Sequence, residues 1–301
     1  MLLSDSSVSV VIASIVGAPF LDRCLASLEA QARARDAEVI VVLHGAEEDA
    51  GRVTEVFPWV TVIRRELRET VPSLRRQGVE RASGEIIAVI EEHCTAAPDW
   101  LDRIVESCAD EQYGAVGGAI HDADYGRLRD WLVYFVEYNG WLPPAHRGPV
   151  RQLNGANIGY RRRHLLDHLQ LLDGGYWEVT LHPTLLEDGI EFLSVPEIVV
   201  RHTGPFNLGY YLQQRYWFSR AYAGARAQAS GIVRRAIFIL TAPLLPFVLW
   251  GRMTMRVVRK QRRIGQYLMI QPLLLIALTA LAVGEFVGYT LGPGDALSKV
   301  E

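Results

Sequence analysis

Through the first 200 residues, short β-branched apolar runs alternate with segments whose apolar residues recur at helical spacing. Val8–Ser14 (VSVVIAS) is apolar almost throughout and predicts a strand covered on both faces, as in a parallel sheet. Pro19 suits the first turn of a helix, and Leu21, Leu25 and Leu28 carry one apolar face to about Arg33. Glu38–Leu43 (EVIVVL) and Val60–Arg64 are the next strands. A helix over Pro72–Ala82 stops at Gly84, a residue that accepts a left-handed terminator, and Glu85–Ile90 (EIIAVI) returns as a strand. Pro98 then precedes a helix over Asp99–Ala109. Such alternation predicts an α/β fold, a mostly parallel sheet with helices on both faces. No internal repeat is evident.

The pattern changes after residue 200. Two apolar stretches, Ala236–Trp250 and Leu268–Leu291, interrupt a basic region. The first is short for the ~20 residues a bilayer span needs and contains Pro243 and Pro246; the second is long enough but holds Gln271, Pro272 and Glu285. A carboxylate at mid-bilayer costs ~2.5–3.5 kcal/mol on the mildest scale, so Glu285 is expected at an interface or facing protein. From Arg201 to Gly265 there are 12 Arg or Lys and no Asp or Glu, whereas residues 1–200 carry 18 basic and 31 acidic side chains, a balance of −13 inside a chain whose net charge is −3. That asymmetry predicts a polyanionic surface facing the carboxyl-terminal part. Nucleic acid and anionic lipid both qualify; the adjoining apolar stretches select lipid headgroups and set nucleic acid aside. Basic residues flank the first stretch on both sides, which disfavours a simple span and favours a segment lying in the cytoplasmic leaflet, with a spanning hairpin as competitor.

By this reading residues 1–228 form the α/β domain, 229–292 a basic, hydrophobic, membrane-associated helical segment, and 293–301 a short tail. Half of the 301 residues are hydrophobic, which excludes intrinsic disorder, and three scattered cysteines exclude a disulfide scaffold and fit a reducing compartment. The amino terminus has neither the basic nor the apolar region of a secretory signal.

In open α/β sheets ligands bind beyond the carboxyl ends of the strands. Glu91, Glu92 and His93 stand there, directly after EIIAVI, where two carboxylates and an imidazole suit a divalent cation or, equally, a solvated acidic turn. No G-x-G-x-x-G follows the first strand and no P-loop motif occurs, which disfavours a classical dinucleotide or P-loop site.

An ordered series of segments then resembles the GT-A-fold glycosyltransferases of family 2. VSVVIAS is similar to the family's first strand and EVIVV to its second; Arg75-Arg76-Gln77-Gly78 followed by ASGEIIAVIEEH resembles its Arg-Asn-x-Gly helix leading to the metal-binding Asp-x-Asp. Pro98-Asp99-Trp100-Leu101, Leu153-Asn154-Gly155-Ala156-Asn157 with Arg161 and Arg162, and Trp177-Glu178 followed by Gly189, Val195-Pro196 and His202 continue the likeness in order over roughly residues 8–225. The resemblance implies a GT-A fold (Rossmann-like, mixed, mostly parallel sheet with helices on both faces) followed by membrane-associated helices. It also implies inverting transfer from a nucleotide sugar, UDP- or GDP-linked, to a lipid-linked or saccharide acceptor in cell-surface polysaccharide or glycolipid synthesis, at the cytoplasmic face of the inner membrane.

Carried over residue by residue, the resemblance implies Glu178 as general base, where the family has Asp. It implies Glu91, His93 and His202 as ligands of Mg²⁺ or Mn²⁺, and Ala13, Ser14, His44, Arg75, Gly78, Glu92 and Arg215 on the donor side. Gly155, Asn157 and Trp177 fall on the acceptor side. The sequence departs from the family at Leu43-His44, where a base-reading Asp is usual, and at Arg76, where Asn is usual. His202 reads equally as a core histidine, Glu187-Asp188 as a solvated turn, His164 and His168 as surface residues and Cys94 as a small buried side chain. The alternative from another class is a catalytically degenerate membrane scaffold.

Overall fold

A computed structural model describes residues 7–173, 175–204, 207–228 and 230–300. Contacts divide the chain into two compact units, Met1–Ala123 with Pro143–Gly204, and Asp124–Leu142 with Pro205–Glu301.

In chain order the elements are β1 (Val8–Ser14), α1 (Phe20–Ala34), β2 (Glu38–His44), α2 (Glu47–Val56), β3 (Thr61–Arg65), α3 (Val71–Arg81), β4 (Ile86–Ile90), β5 (Cys94–Ala96), α4 (Trp100–Ser107), β6 (Tyr113–His121), α5 (Leu128–Tyr138), β7 (Gly148–Val150), β8 (Asn157–Arg161), α6 (Arg162–Leu166), α7 (Trp177–Glu187) and β9 (Glu191–His202). The strands and helices expected up to α4 appear within two residues of their predicted ends, and α2, β5, β6, α5, β7, β8 and α6 are additions.

All strands belong to the first unit and form one sheet, ordered β3-β2-β1-β4-β8-β6-β9-β5 with β7 beside β9. β3, β2, β1 and β4 run parallel. β8 enters antiparallel between β4 and β6, and β9 runs parallel to β6. The sheet is therefore mixed, with an uninterrupted parallel half. Its strands are apolar on both faces because both faces are covered: Val10, Val11 and Ile12 are all fully buried. On one side Val11, Ile40, Val42, Ile87, Val89 and Ile158 form a core with Leu74 and Val79 of α3 and Leu181 and Leu185 of α7.

Gly78 of α3 belongs to this packing. A Cβ there would sit 2.4 Å from Val11 Cγ1, so glycine sets how closely α3 approaches β1. Gly78, expected on the donor side, makes this helix-on-sheet contact.

The second unit comprises α5 and α8 (Leu208–Gln228), α9 (Ile232–Thr241), α10 (Leu245–Lys260), α11 (Ile264–Met269) and α12 (Gln271–Leu291). α8 thus groups with α5 and the membrane-type helices rather than with the sheet. The reason is backbone-to-backbone contact with α12: a Cβ on Gly284 would lie 2.4 Å from Tyr216 O, and one on Gly288 2.5 Å from Arg220 O. Small residues at this spacing let two helices touch. α9 and α10 join through a 3₁₀ turn at Ala242–Leu244. Pro243 and Pro246 occupy first-turn positions of successive helical segments, where a missing N–H is harmless, so the stretch that looked too short becomes one 29-residue helical rod. This rod and α12 are both long and apolar enough to cross a membrane. Glu285 lies within electrostatic range of Arg226, facing protein as its cost in lipid requires.

Gly78→Val should destabilise the protein by about 1–3 kcal/mol through overpacking at Val11, read as a lower denaturant midpoint at unchanged slope.

Candidate active site

Two antiparallel registers assemble the site in the first unit. β4 pairs with β8 so that Ile90 faces Asn157, which sets the turn before β8, with Gly155, beside Glu91. β5 pairs with β9 so that Cys94 faces His202, which draws the end of β9 to His93. His93 O accepts from both the N–H and the Oγ1 of Thr203, each at 2.8 Å, and locks that crossing.

Arg75 lies between these strand ends. Its Nη2 donates to Glu91 Oε1 at 3.2 Å and to Gly155 O at 3.2 Å, and its guanidinium stands 5.9 Å from the Trp177 ring centroid. Gly155 N in turn donates to Glu178 Oε1 at 2.9 Å. Glu91, Arg75, Gly155 and Glu178 therefore form one connected row. A larger residue at Gly155 would displace this row, since a Cβ would lie 2.7 Å from Arg75 Nη1 and 3.0 Å from Glu178 Oε1. Glu178 occupies the first turn of α7, where unpaired N–H groups favour negative charge. Four residues on, His182 is buried and its Nε2 meets Tyr160 Oη at 2.7 Å. Burial pushes the His182 imidazole below its ordinary range; burial, then the Glu178 charge, pushes the Tyr160 phenol up.

On the other side of Glu91, its Oε2 lies 3.0 Å from His93 Nε2. The His93 and His202 rings meet edge-on, centroids 5.2 Å apart. His202 is buried, and desolvation followed by the neighbouring His93 depresses its pKa, which keeps the imidazole neutral. Ligand atoms of Glu91, His93 and Cys94 lie within 4.8 Å of one another. A carboxylate oxygen beside an imidazole nitrogen, at Glu91 and His93, is a donor pair that can hold a divalent cation. Arg75 Nε is buried without a hydrogen-bond acceptor, a donor left over beside the carboxylate and suited to an anion.

Glu92 does something else. Its buried carboxylate accepts from Ser14 Oγ (2.7 Å) and from the backbone N–H groups of Ile15 (2.9 Å), Val16 (2.8 Å) and Gly17 (2.8 Å). The end of β4 thereby clamps the turn after β1. Glu92 and Ser14, expected to touch a donor, spend their polar atoms on each other and on this turn. The clamped turn, Ile15–Ala18, lines a cavity of about 310 Å³ with Leu43, His44, Gly45, Asp49 and Arg52. His44 Nδ1 is buried there without a partner. Arg52 is fixed by a two-pronged pair with Asp22 at 2.8 and 2.9 Å. Ala13, partly buried, packs toward the core just before the clamp.

Asn157 and Trp177, expected on the acceptor side, and Arg215, expected on the donor side, have partners elsewhere in the protein. Asn157 is fully buried and its amide is spent: Nδ2 donates to Ala119 O and Ile198 O, and Oδ1 accepts from Trp100 Nε1. It ties β8 to its neighbours instead of meeting an acceptor. Trp177 is also buried, with Nε1 on Leu172 O, and supports Arg75 and Tyr160 from beneath. Arg215 belongs to the second unit, where it pairs with Glu137 at 2.6 Å and stands over Tyr211 and Phe218. His168 meets Asp188 at 2.9 Å and takes no part in the site. Sequence reading missed Asp49 and Arg52, because the acidic start of α2 carries no motif; position just beyond β2 was the available signal.

Residues 9–166, just over half the chain, match the model of the Glycosyl transferase family 2. A glucosyl-dolichyl phosphate glucuronosyltransferase of Haloferax volcanii is 26% identical over 140 residues, 42% of this chain and 42% of that protein. The match thus spans less than half of that relative's length. Among solved structures, the mannosyltransferase PcManGT of Pyrobaculum calidifontis, in complex with GDP-Man and Mn²⁺, gives a TM-score of 0.58 at 17% identity, covering 93% of this chain and 87% of that one. S. aureus TarS 1–349 gives 0.51 at 13% identity over 95% and 92%, and GalNAc-T7 with UDP, GalNAc and Mn²⁺ gives 0.50 at 16% over 67% and 44%. At these identities the structural likeness establishes the fold.

Glu92→Gln leaves one acceptor where two served four donors, and it turns an NH₂ toward backbone N–H groups. Unfolding free energy should fall by about 2–4 kcal/mol. Hydrogen exchange at Ile15, Val16 and Gly17 should accelerate at least tenfold; unchanged exchange there would remove the clamp.

Proposed function

Because this chain belongs to glycosyl transferase family 2, we propose that it is an inverting enzyme, moving a sugar from a nucleoside diphosphate to a lipid-linked or membrane-proximal saccharide acceptor. That it is a GT-A glycosyltransferase follows from the family; the stereochemistry, the acceptor and the residue roles are the proposal. The observation that carries it is the connected row from Glu91 through Arg75 and Gly155 to Glu178, which sets a cation-type carboxylate and a candidate base on either side of one guanidinium.

In this reading the nucleoside of a UDP- or GDP-sugar enters the cavity beside His44, Asp49 and Arg52, its floor held by Glu92. His44 offers its spare Nδ1 to the base in place of the usual Asp. The diphosphate lies toward Arg75, whose unpaired Nε supplies a charge-assisted hydrogen bond. Glu91, His93 and His202 would hold a divalent ion, Mg²⁺ or Mn²⁺, which supplies Lewis-acid stabilisation of the charge on the departing diphosphate. PcManGT and GalNAc-T7, both with Mn²⁺ and a nucleotide or nucleotide sugar, support that assignment. Glu178 accepts the acceptor hydroxyl proton as that oxygen bonds to the anomeric carbon and the anomeric C–O bond to phosphate breaks. Attack opposite the leaving group inverts the configuration. The dolichyl phosphate relative and two helices suited to a membrane support a lipid-linked acceptor in cell-surface polysaccharide or glycolipid synthesis, at the cytoplasmic face, where nucleotide sugars are made.

Hydrolysis or transfer from a panel of nucleotide sugars identifies the donor, and Glu178→Gln should then lose 10²–10⁴-fold in kcat, roughly the worth of a general base, with the donor KM changed little. A variant as fast as wild type removes Glu178 from the role. A chelator should abolish turnover, and added Mg²⁺ or Mn²⁺ should restore it.

A further inference from the structure

The helices of the second unit carry a one-sided surface. Leu240, Leu244, Phe247, Val248, Met255 and Val258 are 51–78% exposed, large and apolar, and apart from the adjacent pair Phe247-Val248 successive positions lie three, four or seven residues apart. At about 100° per residue these positions make one stripe along α9 and α10. Pro246, Met253 and Val257, the buried residues of α10, lie on the side turned away from that stripe. Arg256 and Arg259 each follow a stripe position by one, and Arg252 lies one turn before Arg256, so the three run along its edge. Only 11% of the most apolar window of this rod is buried. On α12, Ile276, Val283 and Phe286 continue the pattern at 43–52% exposure, while Gly284 and Gly288 face α8.

Both ends of the rod are tied to polar protein. Near its start, Arg235 donates to Tyr289 O and Thr290 O, and Arg226 of α8 stands 4.6 Å from the Phe238 ring centroid. Near its end, Arg256 donates to Asn139 Oδ1 at 3.4 Å, Lys260 to Leu142 O, and Arg263 pairs with Asp124. Arg235 and Arg256 are 21 positions apart, about 32 Å of helix, roughly the ~30 Å of a hydrocarbon core. A crossing rod would therefore put the Arg235 contacts on one side of the bilayer and Asn139 and Leu142, with the α5 segment that leads to them, on the other. It would also carry α8, held against α12 at Gly284 and Gly288, to bilayer depth with Arg215, Arg220 and Arg226. An arginine at bilayer depth is costly even on the mildest scale.

We propose that α9, α10 and α12 form a monotopic platform on an anionic bilayer: they lie in the plane of one leaflet, the exposed stripe among acyl chains and the edge arginines at the headgroups. The positive charge from Arg201 to Gly265, uncompensated along the sequence, complements an anionic surface, and the stripe supplies the apolar area. The platform is independent of the catalytic reading, and its failure would leave that reading standing.

Cys24, Cys94 and Cys108 are buried free thiols, so single cysteines added at exposed sites report on their own. Gly231→Cys, Arg262→Cys and Ser298→Cys, in sealed membrane vesicles of uniform orientation, should react alike with a membrane-impermeant maleimide. Opposite accessibility of position 262 from positions 231 and 298 would establish a spanning hairpin and overturn the platform. Separately, wild type should float with phosphatidylglycerol vesicles, and Phe247→Glu with Val248→Glu should lower the floated fraction at least tenfold with the fold intact by circular dichroism. Unchanged flotation of the double variant overturns the proposal. So does a wild-type protein that fails to float and instead self-associates through this face.

Discussion

A single buried guanidinium holds the candidate centre together. Arg75 reaches Glu91 at the end of the parallel half of the sheet and Gly155 before the antiparallel strand that follows, and Gly155 passes the link to Glu178. A charge so enclosed is tolerable when its donors find carboxylate or carbonyl oxygen, and those partners come from two separate stretches of chain, at Glu91 and Gly155. Satisfying Arg75 therefore fixes the spacing between the carboxylate suited to a cation and the carboxylate suited to a proton. Glycine at position 155 lets the guanidinium and the Glu178 carboxylate sit where they do, since a Cβ would push both aside.

A second carboxylate works by the same economy in a neighbouring place. Three consecutive backbone N–H groups, an arrangement that commonly cradles an outside anion, are filled by Glu92 of the chain itself. The turn they belong to becomes a rigid wall of the cavity beside His44 and Asp49. Adjacent residues thus part in function: Glu91 faces the site, whereas Glu92 builds its wall. The second unit follows a different logic, since its stability comes from close helix contact at Gly284 and Gly288 while its outward apolar side chains remain uncovered by protein.

Much of this was legible in residue order. The apolar runs located β1, β2, β3 and β4, and the helical spacing located α1, α3 and α4, because each element buries a face whose period its own residues must match. The ordered motifs identified the family and put Glu91, His93, His202, Arg75, Gly155 and Glu178 in one neighbourhood. Gly78, Asn157 and Trp177 were also singled out, but as binding residues. A motif marks that a residue type is required, and close packing requires specific residues as strictly as a ligand does: Asn157 is required by two carbonyls and an indole, Gly78 by Val11.

The sequence by itself determined the strand and helix order, the family, the acidic cluster after β4 and the basic, apolar character of the carboxyl-terminal helices. Those features are local, since periodicity, charge and motif spacing are properties of neighbouring residues. Tertiary structure alone decided which of Glu91 and Glu92 faces the site, that Asp49 and Arg52 line the cavity, that α8 packs with α12, and that prolines at 243 and 246 start helices instead of ending them. Each of these depends on which distant backbone amide, carbonyl or methyl group occupies the space next to a side chain, and strand register and helix contact set that.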